Sequence, residues 1–118
     1  MGTSQPRVVR FGDVPFAPRF AYGEHCDIGP VLNATDGSEL GFGFARFKDA
    51  RIPWTITYDE VLLVIEGELT VHVGKAKLTA RAKESIWLPA GTELIYEAKD
   101  ALVAYAVHPA GATPGKAS

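Results

Sequence analysis

Residues 58–71 read YDEVLLVIEGELTV: an acidic pair, five apolar residues, Glu66-Gly67-Glu68, and a return to alternation at Leu69-Thr70-Val71. An apolar, β-branched run this short, closed by a glycine, predicts one strand over Val61–Ile65 and another over Leu69–Val73. Downstream, Gly74-Lys75 offers a two-residue hairpin turn. Strands follow at Lys77–Ala82, Ser85–Leu88, Thr92–Glu97 and Leu102–His108, and Leu88-Pro89-Ala90-Gly91 suits a type I turn with Pro second and Gly fourth. Upstream, Trp54–Tyr58 reads as a strand, as does Glu39–Phe47, where Phe42, Phe44 and Arg46 alternate with Gly41, Gly43 and Ala45. A turn is expected at Asp36-Gly37-Ser38, and the Pro-punctuated start carries one short strand at Arg7–Phe11. Eight or nine short strands without a helical period predict an all-β antiparallel sandwich or barrel.

Size and charge exclude several classes. A chain of 118 residues with 47% hydrophobic content builds one modest core, and neither a repeat nor a break in composition marks a second domain. The organisation expected is an N-terminal arm over 1–20, a barrel over 21–109 and a disordered tail over 110–118. A net charge of −2 and a pI near 5.9 lack the basic footprint of a nucleic-acid binder. The longest apolar run, Ala101–Val107, is far below the roughly 20 residues that span a bilayer, and MGTSQPRVVRF has no signal-peptide core. A cytoplasmic protein, without membrane or nucleic-acid partners, is expected. The single cysteine, Cys26, has no internal disulfide partner.

Glu60 poses the chemical question, since a carboxylate at the mouth of an apolar strand is costly unless paired, protonated or bound to a cation. Glu60, six residues, then Gly67-Glu68-Leu69 resembles the second half of the first cupin motif, G-x5-H-x-H-x3,4-E-x6-G. Leu88-Pro89-Ala90-Gly91-Thr92 resembles the P-x-G core of the second, G-x5-P-x-G-x2-H-x3-N. The run from Asp36-Gly37-Ser38 through Gly43-Phe44, Pro53-Trp54-Thr55 and Tyr58-Asp59-Glu60 to Leu69 resembles, more narrowly, the EutQ-like ethanolamine-utilisation cupins; the likeness extends over about Val8–Pro109. It implies a small stand-alone cupin, an antiparallel double-stranded β-helix or jelly-roll barrel. It also implies a place in ethanolamine or acetate metabolism, with an acetate kinase activity proposed for the family. No phosphate-binding loop of the G-x4-G-K-[ST] kind is present to hold ATP.

The departures from the motif decide its chemistry. Trp54 and Ile56 stand at the first two histidine positions, Leu94 at the third, and Lys83 replaces the glycine that opens the second motif. Glu60 alone remains of four ligands, and one carboxylate does not hold a transition metal. Strand alternation puts Trp54, Ile56, Tyr58 and Glu60 on one inward face, with Leu94 and Tyr96 on the facing strand. Such a lining suits a small organic ligand, and a cation could use the aromatic faces with Glu60 as counter-charge. The bland alternative is a Glu60 that accepts hydrogen bonds from a tyrosine or a backbone amide near the strand end, or pairs with an arginine.

The histidines offer little in place of the lost ligands. His72 faces away from the core, His108 ends the last strand at a rim, and His25-Cys26-Asp27 lies in a loop-like region whose neighbouring side chains diverge. Glu60 with His25 is the weak metal candidate. The leading expectation is therefore a small-molecule-binding cupin with a degenerate metal site and no cofactor. The alternatives are an enzyme, either a metal-dependent lyase or isomerase with relocated ligands or an acetate-kinase-like protein, and a structural subunit without ligand. A homodimer is expected, the apolar arm covering either a neighbour or its own barrel.

Overall fold

The computed structural model describes residues 5–19 and 24–111. Among them seven strands form one antiparallel sheet: β1 (Ala17–Pro18), β2 (Cys26–Leu32), β3 (Gly41–Thr55), β4 (Asp59–Val73), β5 (Ala76–Arg81), β6 (Ser85–Leu88) and β7 (Glu93–His108). The order is β1-β2-β3-β7-β4-β5, with β6 paired to β4. Short 3₁₀ turns occupy Phe11–Asp13 and Ala34–Asp36. The second is closed by an Asn33–Asp36 capping box before Gly37, which bears out the turn expected there.

Three strands of 15 or 16 residues replace the short ones expected over the same sequence, except that of the strand expected at Trp54–Tyr58 only Trp54 and Thr55 belong to β3, residues 56–58 forming the connection to β4. Each long strand bends where its inward parity changes. On β3 the buried positions run Ala45, Phe47, then Ala50, Ile52, Trp54, and the odd residue out, Asp49, has a φ of 46°. On β4 they run Glu60, Leu62, Val64, then Leu69, Val71, across register shifts at Val64/Glu66 and Gly67/Thr70. An extra residue in one strand of a pair flips every later side chain to the other face. That flip keeps both halves of a bent strand facing a single core.

Gly67 sits at the β4 bend with a φ of 80°, and a Cβ there would collide with the Asp100 carbonyl oxygen. The glycine of the first motif is thus required twice, by conformation and by space. Lys83 takes the position where the second motif opens with glycine, and holds the glycine-like φ of 75°. The core closes around Ile56, Val64, Leu69, Val71, Leu88 and Val103, all inaccessible to solvent.

Three local expectations are corrected, and the arm takes one of the two places expected for it. Arg7–Phe11 is not a strand, since the sheet edge is taken by Ala17 and Pro18, which pair with Ile28 and Asp27 of β2. Cys26 and Asp27 begin β2 rather than a loop; Gly29-Pro30 obscured that strand, and the missing proline N–H is absorbed at a register shift between Pro30 and Leu32. The turn after β6 is displaced by one residue: Thr92 N–H donates to the Pro89 carbonyl at 3.2 Å. Gly91, with a φ of 91°, therefore stands third, as a type II turn demands. The arm packs on its own chain, Phe11 edge-on to Phe44 at 5.0 Å. The Gly74-Lys75 hairpin is as expected. The expected tail beyond Gly111 lies outside the described residues.

Candidate functional site

Glu60 is positioned by three strands. Its backbone lies between Val107 of β7 and Leu88 of β6, so the carboxyl is carried inward on the central part of the sheet. The connection just before it is clamped: Ile56 N–H donates to the Thr92 carbonyl at 3.1 Å, and Gly91 N–H returns to the Ile56 carbonyl at 2.8 Å. Ala90 N–H donates to Asp59 Oδ1 at 2.9 Å, so Asp59 points outward as its parity predicted. Tyr96 reaches across from β7, and its hydroxyl donates to Glu60 Oε1 at 2.8 Å.

The cation that sequence reasoning sought from a ligand is supplied by the chain itself. Arg19 follows β1 and is tied to the sheet by its N–H donating to the Cys26 carbonyl at 2.9 Å. Its guanidinium lies 4.7 Å from the centre of the Trp54 ring, a cation–π contact, and donates a hydrogen bond to Tyr58. No ion pair within 4.0 Å joins it to Glu60 among the described residues.

Two spaces meet at this cluster. An inner cavity of about 20 Å³ is bounded by Arg19, Cys26, Trp54, Glu60, Tyr96 and Tyr105, enough room for about one water. A mouth of about 180 Å³ opens outside it, lined by Arg19, Tyr58, Glu60, Tyr105, Val107 and Pro109. Tyr105 fits because Gly43 lies beside it: a Cβ on Gly43 would stand 2.6 Å from the Tyr105 hydroxyl. Among the described residues, Arg19 and Glu60 are the only charged side chains lining either space.

Burial dominates the electrostatics. Glu60, 5% exposed, is pushed up to about 7 by desolvation, with the Tyr96 hydrogen bond and the Arg19 charge pulling the other way. The same desolvation raises Tyr105 to about 12 and the Cys26 thiol to about 11, and raises Tyr58 and Tyr96 with help from the Glu60 charge. The site therefore combines a permanent cation, three protonated phenols and one carboxyl that exchanges its proton near neutrality.

The structure brings Trp54, Glu60 and Tyr96 to the inner cavity and Tyr58 and Glu60 to the mouth. Ile56 and Leu94 are buried core residues that line neither. Arg19, Tyr105 and Cys26 were missed. Tyr105 shares the parity of Val103, a readable signal, whereas nothing local set Arg19 apart from Arg7 and Arg10 in the same arm. The residues do not fit a metal. Tryptophan, isoleucine and leucine occupy the histidine positions, and no group of three or more His, Cys, Asp or Glu side chains gathers among the described residues. His25 lies in an exposed turn against the Lys48 carbonyl at 3.1 Å and lines neither space. His72 pairs with Glu97 at 2.7 Å on the outer surface, and His108 approaches Glu39 at 3.7 Å.

Comparison with known proteins gives the family and the fold. The sequence pattern of the family described as ethanolamine utilisation protein EutQ matches residues 17–113. The acetate kinase EutQ of Salmonella typhimurium is 32% identical over 107 residues, covering 80% of this chain and 46% of that protein. The chain spans about half the length, or less, of the curated relatives it matches. The crystal structure of ethanolamine utilization protein Q from Salmonella typhimurium superposes with a TM-score of 0.82 at 27% identity, covering 88% of this chain and 86% of that one. The cupin domain of Schizosaccharomyces pombe Cnp3, 8% identical, superposes with a TM-score of 0.70 over 86% of this chain and 73% of that one, a likeness of fold alone.

Proposed function

The chain belongs to the EutQ family of ethanolamine utilisation proteins and has the cupin jelly-roll fold, and from that premise we propose that it binds a small molecule at the mouth of its barrel. The observation that carries this reading is Glu60: a buried carboxyl, held by Tyr96, in the wall common to the inner cavity and the mouth. A carboxyl serving only the core needs neither an adjacent guanidinium nor an opening. The mouth is smaller than the roughly 300 Å³ at which drug-sized sites begin, so the ligand has only a few heavy atoms. Tyr58 and Tyr105 supply hydroxyls that orient it, and Val107 and Pro109 supply apolar contact.

Titrating the protein with small amines, alcohols and carboxylates, while following the Tyr58 and Tyr105 ring resonances, tests the site. Binding that moves these rings and changes at least about tenfold in Glu60→Gln supports it. A ligand that binds the variant and the wild type with equal affinity both at about pH 6 and at about pH 8.5 removes Glu60 from the site.

The name of the matched relatives supplies a second reading, phosphoryl transfer to acetate, favoured by the Arg19 cation in the mouth. Acetyl phosphate formed from ATP and acetate, and lost in an Arg19 variant that still folds, is its signature. The reading also includes a homodimer working in the cytoplasm. Val61, Leu63, Ile65 and Trp87 form an exposed apolar patch on the outer face of β4 and β6, beside the face that the arm covers. A second copy of the same patch is its fitting partner, because an isologous contact there buries apolar surface on both copies. Among the described residues no helix is long and apolar enough to cross a membrane.

A further inference from the structure

The inner cavity and the mouth have the same two charged side chains in their walls, and these are of opposite sign without forming a direct ion pair. We propose that the mouth takes up a small monoanion together with one proton, Arg19 holding the negative charge and Glu60 receiving the proton. This rests on the reading of the mouth as a ligand site, and it reverses the sign of ligand that the aromatic lining alone suggests. The face of Trp54, where an organic cation would be held, is already covered by the Arg19 guanidinium. An incoming cation would have to displace that group or lie beside it.

Charge balance forces the proton step. With Glu60 ionised, the lining is neutral overall, and an anion entering between the two groups meets one attraction and one repulsion at similar range. With Glu60 protonated the lining carries a single positive charge, and the carboxyl turns from repelling acceptor to donor. Tyr96 already occupies Oε1, so the acid proton belongs on the second oxygen, available to an anion. The proton comes from solvent and no bond other than the new O–H forms.

Every element packed around Glu60 is compatible with this exchange. The arm contributes Arg19, the connection before β4 contributes Tyr58, β7 contributes Tyr96 and Tyr105, and β2 contributes Cys26. The three phenols and the thiol are all held protonated well above neutrality, so Glu60 is the group that changes charge. Its own midpoint, raised to about 7 chiefly by desolvation, allows the proton to be gained at little cost near neutral pH.

Formate and acetate are the probes, titrated into the full chain at about pH 6 and about pH 8.5 and followed by the Tyr58 and Tyr105 resonances and the Glu60 carboxyl carbon shift. The expected dissociation constant is nearly constant below neutrality and rises about tenfold per pH unit above it, while Glu60→Gln binds with the same affinity at both pH values. Arg19→Gln weakens binding about tenfold or more at either pH. Methylammonium and methanol are the controls of opposite and no charge. Equal affinity of the wild-type protein at both pH values, or a pH dependence that survives in Glu60→Gln, overturns the proposal. So does the absence of anion binding at pH 6 up to about 0.1 M probe. If methylammonium or methanol then moves the tyrosines, the ligand site stands and only its anion and proton character falls. If none of the four probes does, both fall. Should Arg19→Gln fail to fold, the Glu60→Gln comparison decides by itself.

Discussion

Glu60 is where residue chemistry and stability meet. Its folded-state midpoint is raised to about 7 from 4.5, so the folded protein holds this proton over a range in which the unfolded chain has released it. Stability from this group is complete below pH 4.5, declines as pH rises, and is lost once pH passes about 7. The full span corresponds to about 3 kcal/mol. Glu60→Gln keeps the acceptor for Tyr96 and has no charge to bury. The difference in urea unfolding free energy, variant minus wild type, should therefore rise by about that amount between pH 5 and pH 8. A difference independent of pH would mean that the carboxyl is not desolvated in solution. The sequence marked Glu60 as anomalous because of its apolar neighbours, yet its partner Tyr96 is 36 residues away, a distance that alternation along one strand cannot bridge.

At the scale of elements, the bends in β3, β4 and β7 organise the barrel. A period-2 pattern identifies strands only while parity holds, so each bend reads as an interruption and each long strand as two. Two positions isolate what a bend or turn demands of its residue. Gly67→Ala places a methyl group against the Asp100 carbonyl at a φ of 80°, and should cost more than about 2 kcal/mol or prevent folding. Lys83→Gly relieves a side chain held at a φ of 75°, against the added entropy of an unfolded glycine, and should range from neutral to about 1 kcal/mol stabilising. Chemical denaturation of the two variants checks both signs. A destabilised Lys83→Gly would show that the lysine side chain contributes more than its backbone strain costs. The strand β2 was illegible for another reason, since its Gly29-Pro30 centre carries local signals of irregularity that pairing with β3 overrides.

For the whole molecule, the exposed patch on β4 and β6 predicts association. Trp87, 57% exposed, and Leu63 lie on it, and Trp87→Lys with Leu63→Lys should convert a dimer to a monomer in light scattering without lowering the melting temperature. A wild-type protein that is already monomeric at high concentration would leave the patch to another role. What the sequence by itself determined is the class of fold, the inward face of Trp54, Tyr58, Glu60 and Tyr96, and the loss of the histidine ligands, because alternation, turn residues and motif spacing are local properties of the chain. Tertiary structure alone decided the rest. Which short strands are halves of one bent strand depends on register with β7, and the charge of the site depends on Arg19, brought from the arm to the face of Trp54 by strand pairing at the sheet edge. The size of the mouth, and the withdrawal of Ile56 and Leu94 into the core, follow from how the bent strands close on one another. Those are consequences of packing among residues far apart in the chain, which no local pattern encodes.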